Sequence, residues 1–144
     1  MAFIIVSVIL ALDQFTKFLA VKKLALQQSF PVIKGVFHFT LVYNRGAAFG
    51  ILKNHALFFI LASLFAIFLI YLNLRDAKHS RSSVYFVSLS LILAGALGNL
   101  IDRICLGYVV DFLDFRIWPV FNLADSAITA GAILLGYSIL RAKI

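Results

Sequence analysis

Residues 56–74 read Ala-Leu-Phe-Phe-Ile-Leu-Ala-Ser-Leu-Phe-Ala-Ile-Phe-Leu-Ile-Tyr-Leu-Asn-Leu. Nineteen residues without a charge match the hydrocarbon thickness of a bilayer, so this stretch predicts a membrane-spanning helix. The whole 144-residue chain is 63% hydrophobic and 13% charged, with a mean hydropathy of +1.04. Soluble domains are only about half apolar. The expected fold class is therefore an all-α polytopic membrane protein, in one membrane-embedded domain over 1–144. The net charge of +7 does not indicate nucleic acid, because the charges fall between apolar blocks rather than along one stripe. Basic flanks beside a span face the anionic headgroups of membrane lipids. The single cysteine, Cys105, excludes an internal disulfide framework.

Working outward, a polar loop with Arg75, Asp76, Lys78, His79 and Arg81 leads to a second apolar block at 84–101. Its Gly95 and Gly98 allow close helix approach. Residues 104–120 read as an interhelical loop, and 121–140 as a further span. On the N-terminal side, 2–21 forms a span without the basic region or cleavage site of a signal peptide. Asp13 and Lys17 stand one turn apart on it, which predicts an ion pair packed against the bundle. Between the first two spans, 22–54 breaks the membrane pattern. Phe37, Phe39, Leu41 and Tyr43 alternate with His38, Thr40 and Val42, the period of a strand. Asn44-Arg45-Gly46-Ala47-Ala48-Phe49-Gly50 follows, with two glycines for positive φ or close approach to a ligand. This region predicts a small β-element on the membrane surface. Four spans place both termini on one side, opposite the loops 22–54 and 104–120. Lysine and arginine counts, five against six, leave the orientation undecided.

Two runs carry the chemistry: Gly95-Ala-Leu-Gly-Asn99-Leu-Ile-Asp102-Arg103 and Phe121-Asn122-Leu-Ala-Asp125-Ser126. Each contains Asn-x-x-Asp, whose two members share a helix face. A carboxylate in an apolar segment is costly and marks a functional site. Asp102 ends one span and Asp125 lies one turn inside the next, so antiparallel packing brings both to one depth. Paired carboxylates share a proton. One can then act as base toward water and the other as acid toward a carbonyl or leaving nitrogen. Asn99 and Asn122 are placed to hold them. Such a dyad hydrolyses an amide without a metal or cofactor. His38 and His55 are isolated, no His/Cys cluster has metal spacing, and Cys105 has no histidine close in sequence. A small proton-coupled transporter using Asp13, Asp102 and Asp125 competes with this reading, as does a non-catalytic assembly factor presenting Gly95 and Gly98.

The chain resembles the bacterial lipoprotein signal peptidase (signal peptidase II) family through five runs in the family's order. They are Asp13-Gln-Phe-Thr-Lys17, Asn44-x-Gly46-x-Ala48-Phe49-Gly50, Gly95 to Arg103, Val110-Asp111-Phe112, and Phe121-Asn-Leu-Ala-Asp125. The resemblance implies an intramembrane aspartic endopeptidase with Asp102 and Asp125 as its dyad. It implies that Asn44, Gly46, Asn99, Arg103 and Asn122 line or support the site, and that Asp13 and Lys17 steady the first helix. It further implies a bacterial inner-membrane protein with both termini cytoplasmic and with its β-element and dyad at the outer face. The substrates it implies are diacylglyceryl-modified prolipoproteins, cut just before the lipidated cysteine, and the inhibitor it implies is globomycin; a monomer is expected. Ala94 stands where the family often has glycine, and the chain begins almost inside its first span.

Overall fold

A computed structural model describes residues 2–46, 55–76 and 82–141. Four helices and three strands follow in the order α1 (Ala2–Lys23), β1 (Ser29–Ile33), β2 (Phe37–Asn44), α2 (Ala56–Asp76), α3 (Ser83–Leu106), β3 (Val109–Asp114) and α4 (Leu123–Arg141). All four helices are long and apolar enough to cross a membrane. Their outer faces expose large side chains, among them Phe3, Phe15, Phe58, Phe65, Ile133 and Leu140. A hydrocarbon solvent accepts these faces where water would not. Ala47 to Asn54 and Ala77 to Arg81 lie outside the described residues, and with them Gly50 and the charges at 53, 78, 79 and 81.

Helix α3 is the centre of the bundle: half of its apolar window is buried, against 6% for α2. Ser82 caps its start by accepting the Tyr85 N–H. Gly107, at φ 79°, ends it by donating its N–H to the Arg103 carbonyl, a left-handed cap that glycine adopts without strain. Two glycines bring α3 and α4 into near-backbone contact. A Cβ at Gly95 would strike the Ala124 carbonyl, and one at Gly131 would lie 2.7 Å from the Ser88 carbonyl. Small residues serve this purpose in membrane helix pairs, where lipid is as apolar as leucine and packing drives association.

The β-element is larger than the sequence predicts. The three strands form one antiparallel sheet in the order β1-β2-β3, and β3 falls within 104–120, expected to be a loop. Five of the six β3 residues are buried, so the strand lacks the alternation that marks a half-exposed one. Phe30, Phe39 and Leu113 pair across one face. Leu41, Val110 and Phe112 pack with Ala20 of α1 in a core beneath the sheet. A register shift between Phe39 and Val42 then sets Val42 opposite Asp111, and the Asn44 and Asp111 side chains meet. Helix α3 also extends five residues past the expected end of its span, which puts Asp102 inside the helix rather than at its exit.

Candidate active site

The inward face of α1 is unusual for a membrane helix. Its buried residues are Asp13, Lys17 and Ala20, a stripe at helical spacing. Lys17 Nζ pairs with Asp13 Oδ2 at 2.9 Å and with Asp102 Oδ2 at 2.9 Å, and donates to Asn99 Oδ1 at 3.1 Å. An ammonium has three donors, and all three are used. Asp13 Oδ1 accepts the Ala124 N–H at 2.9 Å, satisfying one of the orphan donors at the start of α4. Gly98 makes room for this carboxylate, since a Cβ there would sit 2.5 Å from Asp13 Oδ2.

Asp102 is enclosed by this cluster and is 3% exposed. Besides Lys17, it accepts the Gln14 amide on Oδ1 at 3.0 Å and the Val110 N–H on Oδ2 at 3.0 Å. Both oxygens are committed to α1 and β3. Asn99 and Asp102 do share a helix side, as their spacing predicts, but they do not bond to each other. Asn99 turns to Asp125, donating to its Oδ1 at 2.8 Å.

Asn122 and Asp125 form a reciprocal cap at the start of α4. The Asp125 N–H donates to Asn122 Oδ1 at 2.8 Å, and the Asn122 N–H reaches Asp125 Oδ2 at 3.4 Å. This is the capping-box exchange, with Asp in the place of Glu. The Asn122 amide nitrogen lies 2.7 Å from Asp111 Oδ1 and 3.1 Å from Asn99 Oδ1. Asn44 of β2 donates to Asp111 Oδ2 at 2.9 Å, and its own oxygen accepts the Gly46 N–H at 3.0 Å. One asparagine, Asn122, therefore touches both Asp111 and Asp125.

A cavity of about 250 Å³ opens between the sheet, α3 and α4. Its polar wall is Asn44, Gly46, Asn99, Arg103, Asp111 and Asp125, and its apolar wall includes Val109, Trp118, Pro119 and Ile128. Arg103 lies over the Phe59 ring, 5.1 Å from its centroid, and donates to the Asn99 carbonyl at 3.4 Å. Burial first, and then the charge of Asp125, push the Asp111 carboxyl up to about 7, against the opposing hydrogen bonds from Asn44 and Asn122. A carboxyl of this kind holds its proton near neutrality.

The sequence-derived residues thus divide into two groups. Asn44, Gly46, Asn99, Arg103 and Asp125 line the cavity, with Asn122 directly behind. Asp13, Lys17 and Asp102 form an ionic cluster away from it, joined to the cavity through Asn99. The expectation that Asp102 stands beside Asp125 as its partner carboxylate does not fit this geometry, because Asp102 is turned toward Lys17 and is absent from the cavity lining. The acid that does line it, Asp111, sits inside the matching run Val110-Asp111-Phe112 without having been singled out. Gln14 was missed as well. The signal for Asp111 is a charge among apolar neighbours, the same cost argument that selects Asp102 and Asp125.

Three comparisons agree with this architecture. The family model described as Signal peptidase (SPase) II matches residues 5–141. A lipoprotein signal peptidase of Caldanaerobacter subterraneus subsp. tengcongensis is 55% identical over 139 residues, covering 95% of this chain and 94% of that one. The lipoprotein signal peptidase of Halothermothrix orenii is 51% identical, covering 94% and 92%. A bacterial membrane enzyme solved by the in meso method superposes with a TM-score of 0.91 at 34% identity, over 99% of this chain and 88% of that chain. With the match spanning nearly its full length, the chain belongs to the signal peptidase II family.

Proposed function

We propose that the protein is an intramembrane aspartic endopeptidase that removes signal peptides from diacylglyceryl-modified prolipoproteins, and that Asp111 and Asp125 are its catalytic pair. The observation that carries the assignment is the shared cavity: these two carboxylates line it, and both bond to Asn122. Asp111 replaces Asp102 in the dyad expected from sequence. Asp102 serves instead as a positioning residue, holding Lys17 against Asn99 and so fixing the Asn99 amide toward Asp125. Membership of a peptidase family sets aside the transporter and assembly-factor readings.

In the proposed reaction Asp111 carries the shared proton and Asp125 is ionised. Water between them gives a proton to Asp125 and attacks the scissile carbonyl carbon, while Asp111 protonates the carbonyl oxygen. The resulting gem-diol collapses as Asp125 protonates the leaving nitrogen and one diol hydroxyl returns its proton to Asp111. The carbon–nitrogen bond breaks, and the pair regains its starting protonation. Asn44, Asn99 and Asn122 hold the carboxylates through this cycle. Arg103, at the cavity wall, is placed to orient the substrate backbone.

The scissile bond lies just before the lipidated cysteine, and the acyl chains set its depth. The enzyme sits in the bacterial inner membrane with both termini cytoplasmic and the cavity near the outer face. It works as a monomer, requires no metal or cofactor, and binds globomycin at the dyad. The test is cleavage of a lipidated precursor by detergent-purified protein, with the products mapped by mass spectrometry. Cleavage at the bond before the modified cysteine is the expected result. An intact precursor, or a cut elsewhere, contradicts the assignment.

A further inference from the structure

A second and larger hollow lies between α1, the sheet and the start of α4. Its volume is about 620 Å³, inside the roughly 300–1,000 Å³ range of small-molecule sites. Leu19 of α1, Leu24 just beyond its end, Phe30, Phe39, Phe112 and Leu113 of the sheet, and Leu123 of α4 form its walls. Thr16 lies at one end, but its hydroxyl donates within its own helix, to the Leu12 and Asp13 carbonyls, so it makes no polar demand on an occupant. Lys23 lines the other end. It is the last residue of α1 and is exposed. Among the described residues it makes no ion pair or hydrogen bond. From Thr16 to Lys23 the helix rises about 10 Å. The groove is thus an apolar slot with one cation, unpaired among the described residues, at the level where the helix ends.

We infer that this groove holds an acyl chain of an anionic phospholipid from the surrounding bilayer, with its phosphate at Lys23. The apolar walls match the chain, and the lysine matches the headgroup charge. The diacylglyceryl group of the proposed substrate carries no phosphate. The groove also shares no residue with the Asp111–Asp125 cavity. Lys22, by contrast, lies over the Phe18 ring at 5.8 Å and does not line the groove.

Native mass spectrometry of the full chain in detergent tests this, using dioleoyl phosphatidylglycerol against dioleoyl phosphatidylcholine, which differ only in the headgroup. The first lipid should bind about fivefold more tightly when anionic, the effect of one lysine beside a headgroup phosphate. Lys23→Gln should remove that preference and Lys22→Gln should keep it. Leu19→Trp, which fills the slot, should weaken both lipids; if that variant does not fold by far-UV circular dichroism, Phe30→Ser at the exposed rim takes its place. Equal binding of the two lipids to the wild type, or a preference that survives Lys23→Gln, overturns the inference. So does displacement of the phosphatidylglycerol by a diacylglyceryl-modified peptide with the same sensitivity to Leu19→Trp, which assigns the slot to substrate.

Discussion

Replacing Lys17 by Met should be among the most destabilising single changes in this protein. The side chain is 4% exposed and offers its three hydrogens to Asp13, Asp102 and Asn99. Methionine keeps most of the volume and removes the charge. Two carboxylates, 0% and 3% exposed, then face each other with no cation between them. Removing one partner of a buried ion pair costs about 3–5 kcal/mol, because the charge left behind stays unpaired. The loss should be read from unfolding in mixed detergent, followed by far-UV circular dichroism. Asp13→Asn and Asp102→Asn added to Lys17→Met remove the stranded charges, so the triple variant should recover most of the loss. If Lys17→Met costs less than about 1 kcal/mol, a surface-pair magnitude, the ionic cluster is not what joins α1 to α3. A triple variant no more stable than the single one refutes the same reasoning.

Other outcomes follow from the site. Burial and the charge of Asp125 raise the Asp111 carboxyl to about 7, and the proposed reaction needs its proton, so single-turnover cleavage should fall as pH rises through about 7; a flat profile from pH 6 to 9 contradicts this. The Asn44 hydrogen bond favours the ionised form of Asp111, so Asn44→Ala should move that limb to higher pH, and a shift to lower pH would contradict the sign. An unlipidated precursor should be a poor substrate, since burial of acyl chains at about 0.8 kcal/mol per CH₂ sets the depth of the scissile bond; equal kcat/KM for both forms argues otherwise. Cleavage should persist in a strong chelator, whereas loss restored by zinc would point to metal chemistry.

The four spans were legible because a bilayer demands long uncharged helices, and 56–74 states that demand without interruption. The strand at Phe37–Asn44 was legible because one of its faces is apolar and the other polar. Strand β3 was not, because both its faces are buried and Val109 to Asp114 shows no alternation. The same blindness hid Asp111: a residue placed in a loop is not asked what a buried carboxylate costs. The surroundings of Asp102 were hidden for a related reason. The apolar run stops at Ile101, but the helix continues to Leu106 before Gly107 ends it, and Asp102 lies within it against Lys17 and Gln14 of α1. The Asp13–Lys17 pair was visible as a one-turn spacing. Its reach to Asp102 depends on packing between helices far apart in sequence, which spacing within one helix cannot express. Asn122 beside Asp125 was recoverable because a cap is a local structure.

The central claim is that Asp111 and Asp125 act as one unit. Asp111→Asn and Asp125→Asn each keep the shape of the side chain and remove the ionisable group. The decisive measurement is single-turnover cleavage of a lipidated precursor by the wild type, each single variant and the double variant, at matched amounts of folded enzyme, with Asp102→Asn alongside. Residues that act together in one step are strongly non-additive. Each variant at Asp111 or Asp125 should lose nearly all cleavage, and the double should be scarcely worse. Asp102→Asn should lose less and should show its loss together with lowered stability. An Asp111→Asn enzyme that keeps a tenth or more of the wild-type rate, beside an Asp102→Asn enzyme that is folded and inactive, would contradict the assignment and return the partner role to Asp102.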